Sequence, residues 1–209
     1  MKAHTKETQA TMTPSKSLDF LKEGNKRFQN NLKANRNLLE QVNDTSDGQF
    51  PFATILSCID SRVSAELVFD QGLGDIFSVR IAGNFVNEDI LGSMEFGCKL
   101  AGTKLIVVLG HTSCGAIKGA CDHARLGNLT ALINKIEPAV DAVKEPTDES
   151  QRNSKNLEFV DRVSAKNVEM TIENIRKKSS VLAEMEENGE IMIVGAMYDI
   201  ASGGVEFYS

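Results

Sequence analysis

The chain has 209 residues, enough for one domain with an apolar core, and its 41% hydrophobic and 25% charged residues are ordinary for a globular protein. A formal net charge of −6 gives no electrostatic reason to expect nucleic acid or an anionic membrane as a partner. No apolar run is as long as a transmembrane helix, and the polar segment from Met1 to Lys16 lacks the apolar centre of a secretory signal, so we expect a cytoplasmic protein.

The N-terminal part of the chain predicts a helical arm. Thr13-Pro14 is typical of a helix start, and apolar residues on one face extend this helix to about Asn30. The polar stretch 43–48 ends the arm. We therefore expect a single domain made of an arm, 1–48, and a core, 49–209.

Strands and helices are predicted to alternate along the core. The strands are short apolar runs bounded by turn residues, and the helices show apolar residues at helical spacing. The predicted strands are 52–57, 76–81, 105–109 and 191–197; the predicted helices are 88–100, one opening near Gly115, 129–143, and one ending near Lys178; Gly203-Gly204 turns the chain into a short tail. This alternation predicts an α/β fold, with a mostly parallel sheet of about four to five strands and helices on both faces.

Two polar clusters follow strands of this sheet, namely 58–62 (CIDSR) and 111–114 (HTSC). Ligands bind beyond the carboxyl ends of parallel strands, so the two clusters are expected to meet in space. Two thiolates and one imidazole suit zinc, and three protein ligands leave a fourth position open, as a catalytic site requires. Each motif alone is a weak signal, since a core thiol and a capping histidine would give the same letters.

The sequence resembles the β-class carbonic anhydrases over nearly its whole length. The similar segments, in the family's order and spacing, are 23–28 (EGNKRF), 58–63 (CIDSRV), 74–84 (GDIFSVRIAGN), 110–115 (GHTSCG) and 198–200 (YDI). The resemblance implies one Zn²⁺ per subunit bound by Cys58, His111 and Cys114. It also implies that Asp60 and Arg62 form a catalytic pair beside the metal, in an enzyme that hydrates carbon dioxide to bicarbonate by attack of zinc-bound hydroxide.

The resemblance further implies a substrate pocket containing Gln49, Phe77 and Gly115. In the family such residues come partly from a neighbouring subunit, so a homodimer or a dimer-based higher oligomer is implied. The sequence departs from the family pattern at two places. Phe96 replaces a pocket tyrosine of open-site members, and Ile55 stands where bicarbonate-inhibited members have tryptophan, so we expect an open site without that inhibition.

Several alternative interpretations remain open at this point. Hydrolases of carbon disulfide or carbonyl sulfide share this zinc site, and a closed, non-catalytic zinc-stabilised module would need the same ligands. Asp60 and Arg62 are also compatible with a purely structural ion pair. We interpret His123 as a surface histidine rather than a proton shuttle, and Cys98 and Cys121 as buried apolar side chains.

Overall fold

A five-stranded sheet forms the centre of the computed structural model, which describes residues 2–208. Its strands stand in the order β2-β1-β3-β4-β5; the first four run parallel, and β5 is antiparallel to β4. The strands are β1 (Ala53–Ser57), β2 (Ile76–Arg80), β3 (Leu105–His111), β4 (Met192–Tyr198) and β5 (Val205–Tyr208). The predicted fold class, a mostly parallel sheet of four to five strands, is confirmed.

Helices cover both faces of this sheet. They are α1 (Lys6–Ala10), α2 (Pro14–Gln29), α3 (Leu38–Asp44), α4 (Ala65–Val68), α5 (Glu88–Glu95), α6 (Gly115–Cys121), α7 (Gly127–Ile133), α8 (Glu137–Ala142), α9 (Leu157–Lys178) and α10 (Ser180–Glu187). A π-helical turn, Phe96–Leu100, continues α5, and a short 3₁₀ turn covers Glu149–Gln151. No helix within residues 2–208 is both long and apolar enough to span a membrane.

An apolar core lies on each face of the sheet, because successive side chains of a strand point to opposite faces. Along β3, Leu105, Val107 and Leu109 pack on the face covered by α2 and α4. Ile106 and Val108 pack on the opposite face, under α5, α9 and α10. Every residue of β1 and β3 is buried, which is why these strands read as unbroken apolar runs.

Residues of the predicted N-terminal arm, 1–48, contact the rest of the chain through Asp70, just beyond α4. Arg27 Nε donates to Asp70 Oδ2 at 2.5 Å, and Arg36 Nη1 donates to Asp70 Oδ1 at 2.6 Å. The backbone N–H of Ala34 also donates to Oδ2, at 3.1 Å. Because the Asp70 side chain is only 5% exposed, this is a largely buried ionic contact between arm and core.

The structure corrects three of the predicted elements. The single helix predicted over 129–143 is wrong, because α7 ends at Ile133 and α8 begins at Glu137. Pro138 explains the interruption, since a proline restricts the residue before it and cannot donate to a preceding turn. The helix predicted over 88–100 changes to π-helical geometry at Phe96. The predicted tail after Gly203-Gly204 is the antiparallel strand β5.

Candidate metal centre

Two adjacent strands bring the polar clusters together. β1 and β3 pair in parallel, with Ser57 opposite Leu109, so their carboxyl ends lie side by side. Cys58 is the first residue after β1, and His111 is the last residue of β3. Cys114 then caps the N-terminus of α6. The sequence-predicted ligands therefore lie at the carboxyl ends of two neighbouring inner strands.

Cys58, His111 and Cys114 form a buried group that could hold a metal ion, with their ligand atoms all within 4.8 Å of one another. They are 3%, 0% and 0% exposed. The two Sγ atoms stand 3.9 Å apart. Two sulfurs bound at ~2.3 Å to a tetrahedral zinc would be about 3.8 Å apart, so this separation fits a shared metal and is far too long for a disulfide.

The imidazole of His111 is oriented for coordination. Its Nδ1 lies 3.0 Å from the carbonyl oxygen of Thr112, so Nδ1–H donates to that oxygen. This tautomer leaves the lone pair on Nε2. The Nε2 atom is buried and has no hydrogen-bond partner among the described residues. A buried polar atom without a partner is costly, and a metal ion would satisfy it.

Asp60 and Arg62 lie beside this group. Arg62 Nε donates to Asp60 Oδ1 at 2.9 Å, and Arg62 Nη2 donates to Oδ2 at 2.7 Å. The backbone N–H of Arg62 also donates to Oδ1. These hydrogen bonds hold the pKa of Asp60 well below its usual range. Because Oδ2 is also 3.9 Å from His111 Nε2, an ionised carboxylate lies beside one of the candidate ligands.

The two buried thiols affect one another's protonation. The hydrogen bond from Cys114 lowers the pKa of Cys58 to about 4, although burial opposes this change. The same contact and burial raise the pKa of Cys114. One thiolate is therefore favoured before any cation binds, and a bound cation would favour the second.

Other hydrogen bonds that sequence reasoning missed hold the ligand loops. Arg80 Nε donates to the carbonyl oxygen of Cys58 at 3.1 Å, and its Nη2 donates to that of Asp60 at 2.7 Å. Three side chains of α9 also contact backbone groups beside the ligands. No motif marks the three α9 residues, because a side chain that binds backbone needs no particular partner sequence, whereas Arg80 lies within the segment 74–84 that resembles the family.

The predicted pocket residues occupy different places. Gly115 directly follows Cys114, is exposed, and has open space where a side chain would be. Phe77 pairs with Thr54 of β1, and its ring lies 6.2 Å from that of Phe96. Gln49 is exposed and precedes β1. Gln49 and Phe77 thus lie away from the carboxyl end of β1, where Cys58 is found.

Comparison with known proteins agrees with this geometry. The family model described as carbonic anhydrase matches residues 53–205. The chain belongs to the β-class carbonic anhydrases. Carbonic anhydrase 2 of Mycobacterium tuberculosis is 36% identical over 184 residues, covering 88% of this chain and 87% of that protein. The carbonic anhydrase of Mycolicibacterium smegmatis is 34% identical over 195 residues, covering 90% of each chain.

A solved structure shares the architecture of this carbonic anhydrase. The β-carbonic anhydrase CcaA superposes with a TM-score of 0.72 at 25% identity, covering 92% of this chain and 95% of that one. The family consists of lyases, and the chain is an enzyme of that class.

The remaining cysteines and His123 of this carbonic anhydrase lie where the sequence predicted. Cys98 and Cys121 are each 3% exposed, and burial raises the pKa of each to about 11. The side chain of His123 is 64% exposed and lies 2.9 Å from Glu137. These residues are therefore a pair of core thiols and a surface histidine.

Proposed function

We propose that this carbonic anhydrase catalyses the reversible hydration of carbon dioxide to bicarbonate and a proton, using one zinc ion per subunit. The observation that carries the proposal is the buried group of Cys58, His111 and Cys114, in which Nε2 of His111 has no hydrogen-bond partner among the described residues. Zinc fits this donor set because it prefers thiolate and imidazole ligands in tetrahedral geometry. When bound there, zinc supplies the Lewis acidity that makes water a nucleophile near neutral pH.

The protein's own residues would do the remaining work. Asp60 is ionised and would accept a hydrogen bond from the reacting water, which orients the water toward the substrate carbon. The Arg62 side chain holds Asp60 by two hydrogen bonds and would so keep its carboxylate from taking the open ligand position itself. Gly115 leaves room beside Cys114 for a small, uncharged substrate. Two thiolates neutralise the dication, so a well-placed acceptor matters more than in a three-histidine site.

We also propose that the active unit is a homodimer, or a larger oligomer built from dimers. The support is geometric. Phe77 is opposite Thr54, three residues before Ser57, which places it about 10 Å along the sheet from the end that carries Cys58. β2 is an edge strand, and Phe96 beside it is 53% exposed. A second copy at this edge would cover these rings and bring Gln49 and Phe77 toward the other subunit's metal.

The cytoplasmic location stays a prediction.

The test is to measure zinc content and carbon dioxide hydration for the purified protein and for Cys114→Ala. We expect about one zinc per chain and rapid hydration in the unmodified protein. Cys114→Ala should lose most of its zinc and nearly all activity, because two ligands hold the cation poorly. Cys98→Ala is the matched control, since that thiol lies outside the site.

Carbon dioxide hydration by Cys114→Ala at the rate of the unmodified protein would contradict the ligand assignment. Zinc at full occupancy without hydration at any pH would favour the non-catalytic module. Faster turnover of carbon disulfide or carbonyl sulfide than of carbon dioxide would favour the hydrolase alternative.

A further inference from the structure

One side of α9, which packs mainly through apolar residues, carries three polar residues that contact the loops of the candidate ligands. Val160, Val163 and Val168 of this helix are buried in the core. Asp161, Ser164 and Asn167 are spaced three residues apart, so they form a row along one side of the helix. Ser164 and Asn167 are 1% and 3% exposed. Buried polar side chains need partners. Ser164 and Asn167 find them in backbone beside the candidate ligands, and so does the half-buried Asp161.

Asp161 contacts the loop between two of the ligands. Its Oδ1 accepts the backbone N–H of Ser113 at 2.7 Å. Ser113 has φ of 54°, a left-handed conformation that is unfavourable for a residue with a side chain. A charged acceptor makes a strong hydrogen bond to an N–H. Asp161 therefore offsets the strain that lets the loop return from His111 to Cys114.

Ser164 contacts the second ligand directly. Its hydroxyl donates to the carbonyl oxygen of His111 at 3.1 Å. The close approach of α9 depends on Gly110, because a Cβ there would stand 2.6 Å from Val168 Cγ2. The glycine beside His111 thus gives the helix access to the end of β3.

Asn167 reaches the third ligand through one intermediate residue. Its Nδ2 donates to the carbonyl oxygen of Gly83 at 2.8 Å. The backbone N–H of Gly83 in turn donates to Cys58 Sγ at 3.5 Å. Gly83 has φ of 77°, a conformation that glycine adopts without strain. Asn167 therefore fixes the N–H that points at the sulfur.

We propose that Asp161, Ser164 and Asn167 are positioning residues that hold the three ligands of the metal centre from a single helix. This inference rests on the proposed function, because it requires the site to bind a cation. Each residue acts through backbone, and each serves a different ligand. One rigid helix thus keeps two strand ends and one loop at the separation that a tetrahedral ion needs.

The experiment measures the zinc affinity of the full-length protein by competition with a chelating dye. Partners of this kind typically change metal affinity about 10- to 100-fold, so we expect losses of that size in Asp161→Ala and Asn167→Ala. Asp161→Asn keeps an acceptor oxygen and should retain more affinity than Asp161→Ala. Cobalt(II) in place of zinc should show an altered absorption spectrum in the alanine variants, which reports changed ligand geometry.

Glu173→Ala and Asn174→Ala are the matched controls, because they remove the same side-chain types further along α9. Both should bind zinc like the unmodified protein. Adding Ser113→Gly to Asp161→Ala should recover part of the lost affinity, since glycine adopts positive φ without strain. A double variant that binds no better than Asp161→Ala would contradict the role given to the Ser113 backbone.

The outcomes also separate this inference from the proposed function. Unchanged zinc affinity and an unchanged cobalt spectrum in Asp161→Ala and Asn167→Ala would overturn the inference alone. An unmodified protein that binds no zinc would overturn the proposed function, and the positioning role with it.

Discussion

At the scale of single residues, the proposed chemistry requires one carboxylate to stay close to the candidate metal position without binding there. Three hydrogen bonds hold the Asp60 carboxylate, and Arg62 donates all three. Its side chain is 15% exposed, whereas that of Arg62 is 52% exposed. The Asp60 carboxylate is thus largely buried, whereas the Arg62 side chain is exposed to solvent. Arg62 can therefore be replaced without disturbing the core.

We predict that Asp60→Asn retains zinc but loses about 100-fold in kcat, the lower end of what a positioned acid or base contributes. The amide is nearly isosteric, so the ligands should stay in place, while the acceptor for the reacting water becomes weaker. Stopped-flow hydration and zinc analysis on the same preparation would check this. Asp122→Asn, which changes a surface carboxylate, should be unaffected, and unchanged kinetics in Asp60→Asn would remove Asp60 from the mechanism.

At the scale of elements, the sequence predicts what is long or fully buried. β1 and β3 were predictable because parallel strands covered on both faces leave an unbroken apolar run. α2 was predictable from its Thr13-Pro14 start and helical spacing, and α9 from helical spacing alone. The short helices α1, α3, α4 and α10 were missed, as was β5, whose four residues carry too little pattern. The division of the chain into arm and core stays a prediction.

In the candidate site, too, contiguous motifs could be predicted from the sequence, whereas contacts between distant residues could not. The ligand motifs were recognisable because each is contiguous and follows a strand. The α9 row was not recognisable, because Asp161 and Ser113 lie 48 positions apart and make a contact of side chain to backbone. Such contacts depend on helix placement, which here depends on the glycine at position 110.

The arm contact gives a prediction about stability and pH. Burial raises the pKa of Asp70, but hydrogen bonds from Arg27, Ala34 and Arg36 outweigh burial and hold it below its ordinary value. A carboxyl with a lowered folded-state pKa stabilises the fold when ionised in both states, and that contribution is lost as pH falls through the folded-state pKa. The contact should therefore contribute fully at pH 7 and fade below about pH 4.

We predict that Asp70→Asn lowers the free energy of unfolding by about 3 kcal/mol at pH 7, because it leaves two guanidinium groups facing a neutral amide in a largely buried place. Asparagine tolerates the positive φ of 45° at this position, so the backbone should not change. Urea unfolding at pH 7 and at pH 3 would check both size and sign. The difference should shrink at pH 3, and Glu23→Gln, which breaks the exposed pair with Lys26, should have almost no effect.

At the scale of the whole molecule, one chain holds the predicted pocket residues apart from the candidate metal ligands. The candidate metal ligands meet beyond the carboxyl ends of β1 and β3, whereas Gln49 precedes β1 and Phe77 lies on the edge strand β2. Within one chain, Gln49 and Phe77 cannot approach the candidate metal ligands without disruption of the sheet. Two copies that meet along β2 would remove an exposed strand edge and complete each pocket with residues of the other subunit.

Mixed dimers would test this arrangement directly. We predict that Gln49→Ala lowers kcat/KM about 10-fold, the effect of one lost hydrogen bond to the reacting complex, while Cys114→Ala abolishes activity. Co-expressing the two variants with different tags and purifying the heterodimer should give one doubly defective site and one intact site. The intact site has its ligands from one subunit and Gln49 from the other, so hydration per bound zinc should return to the value of the unmodified protein. If Gln49 instead served its own chain, the heterodimer would keep the reduced kcat/KM of Gln49→Ala, and the two outcomes differ by the full 10-fold.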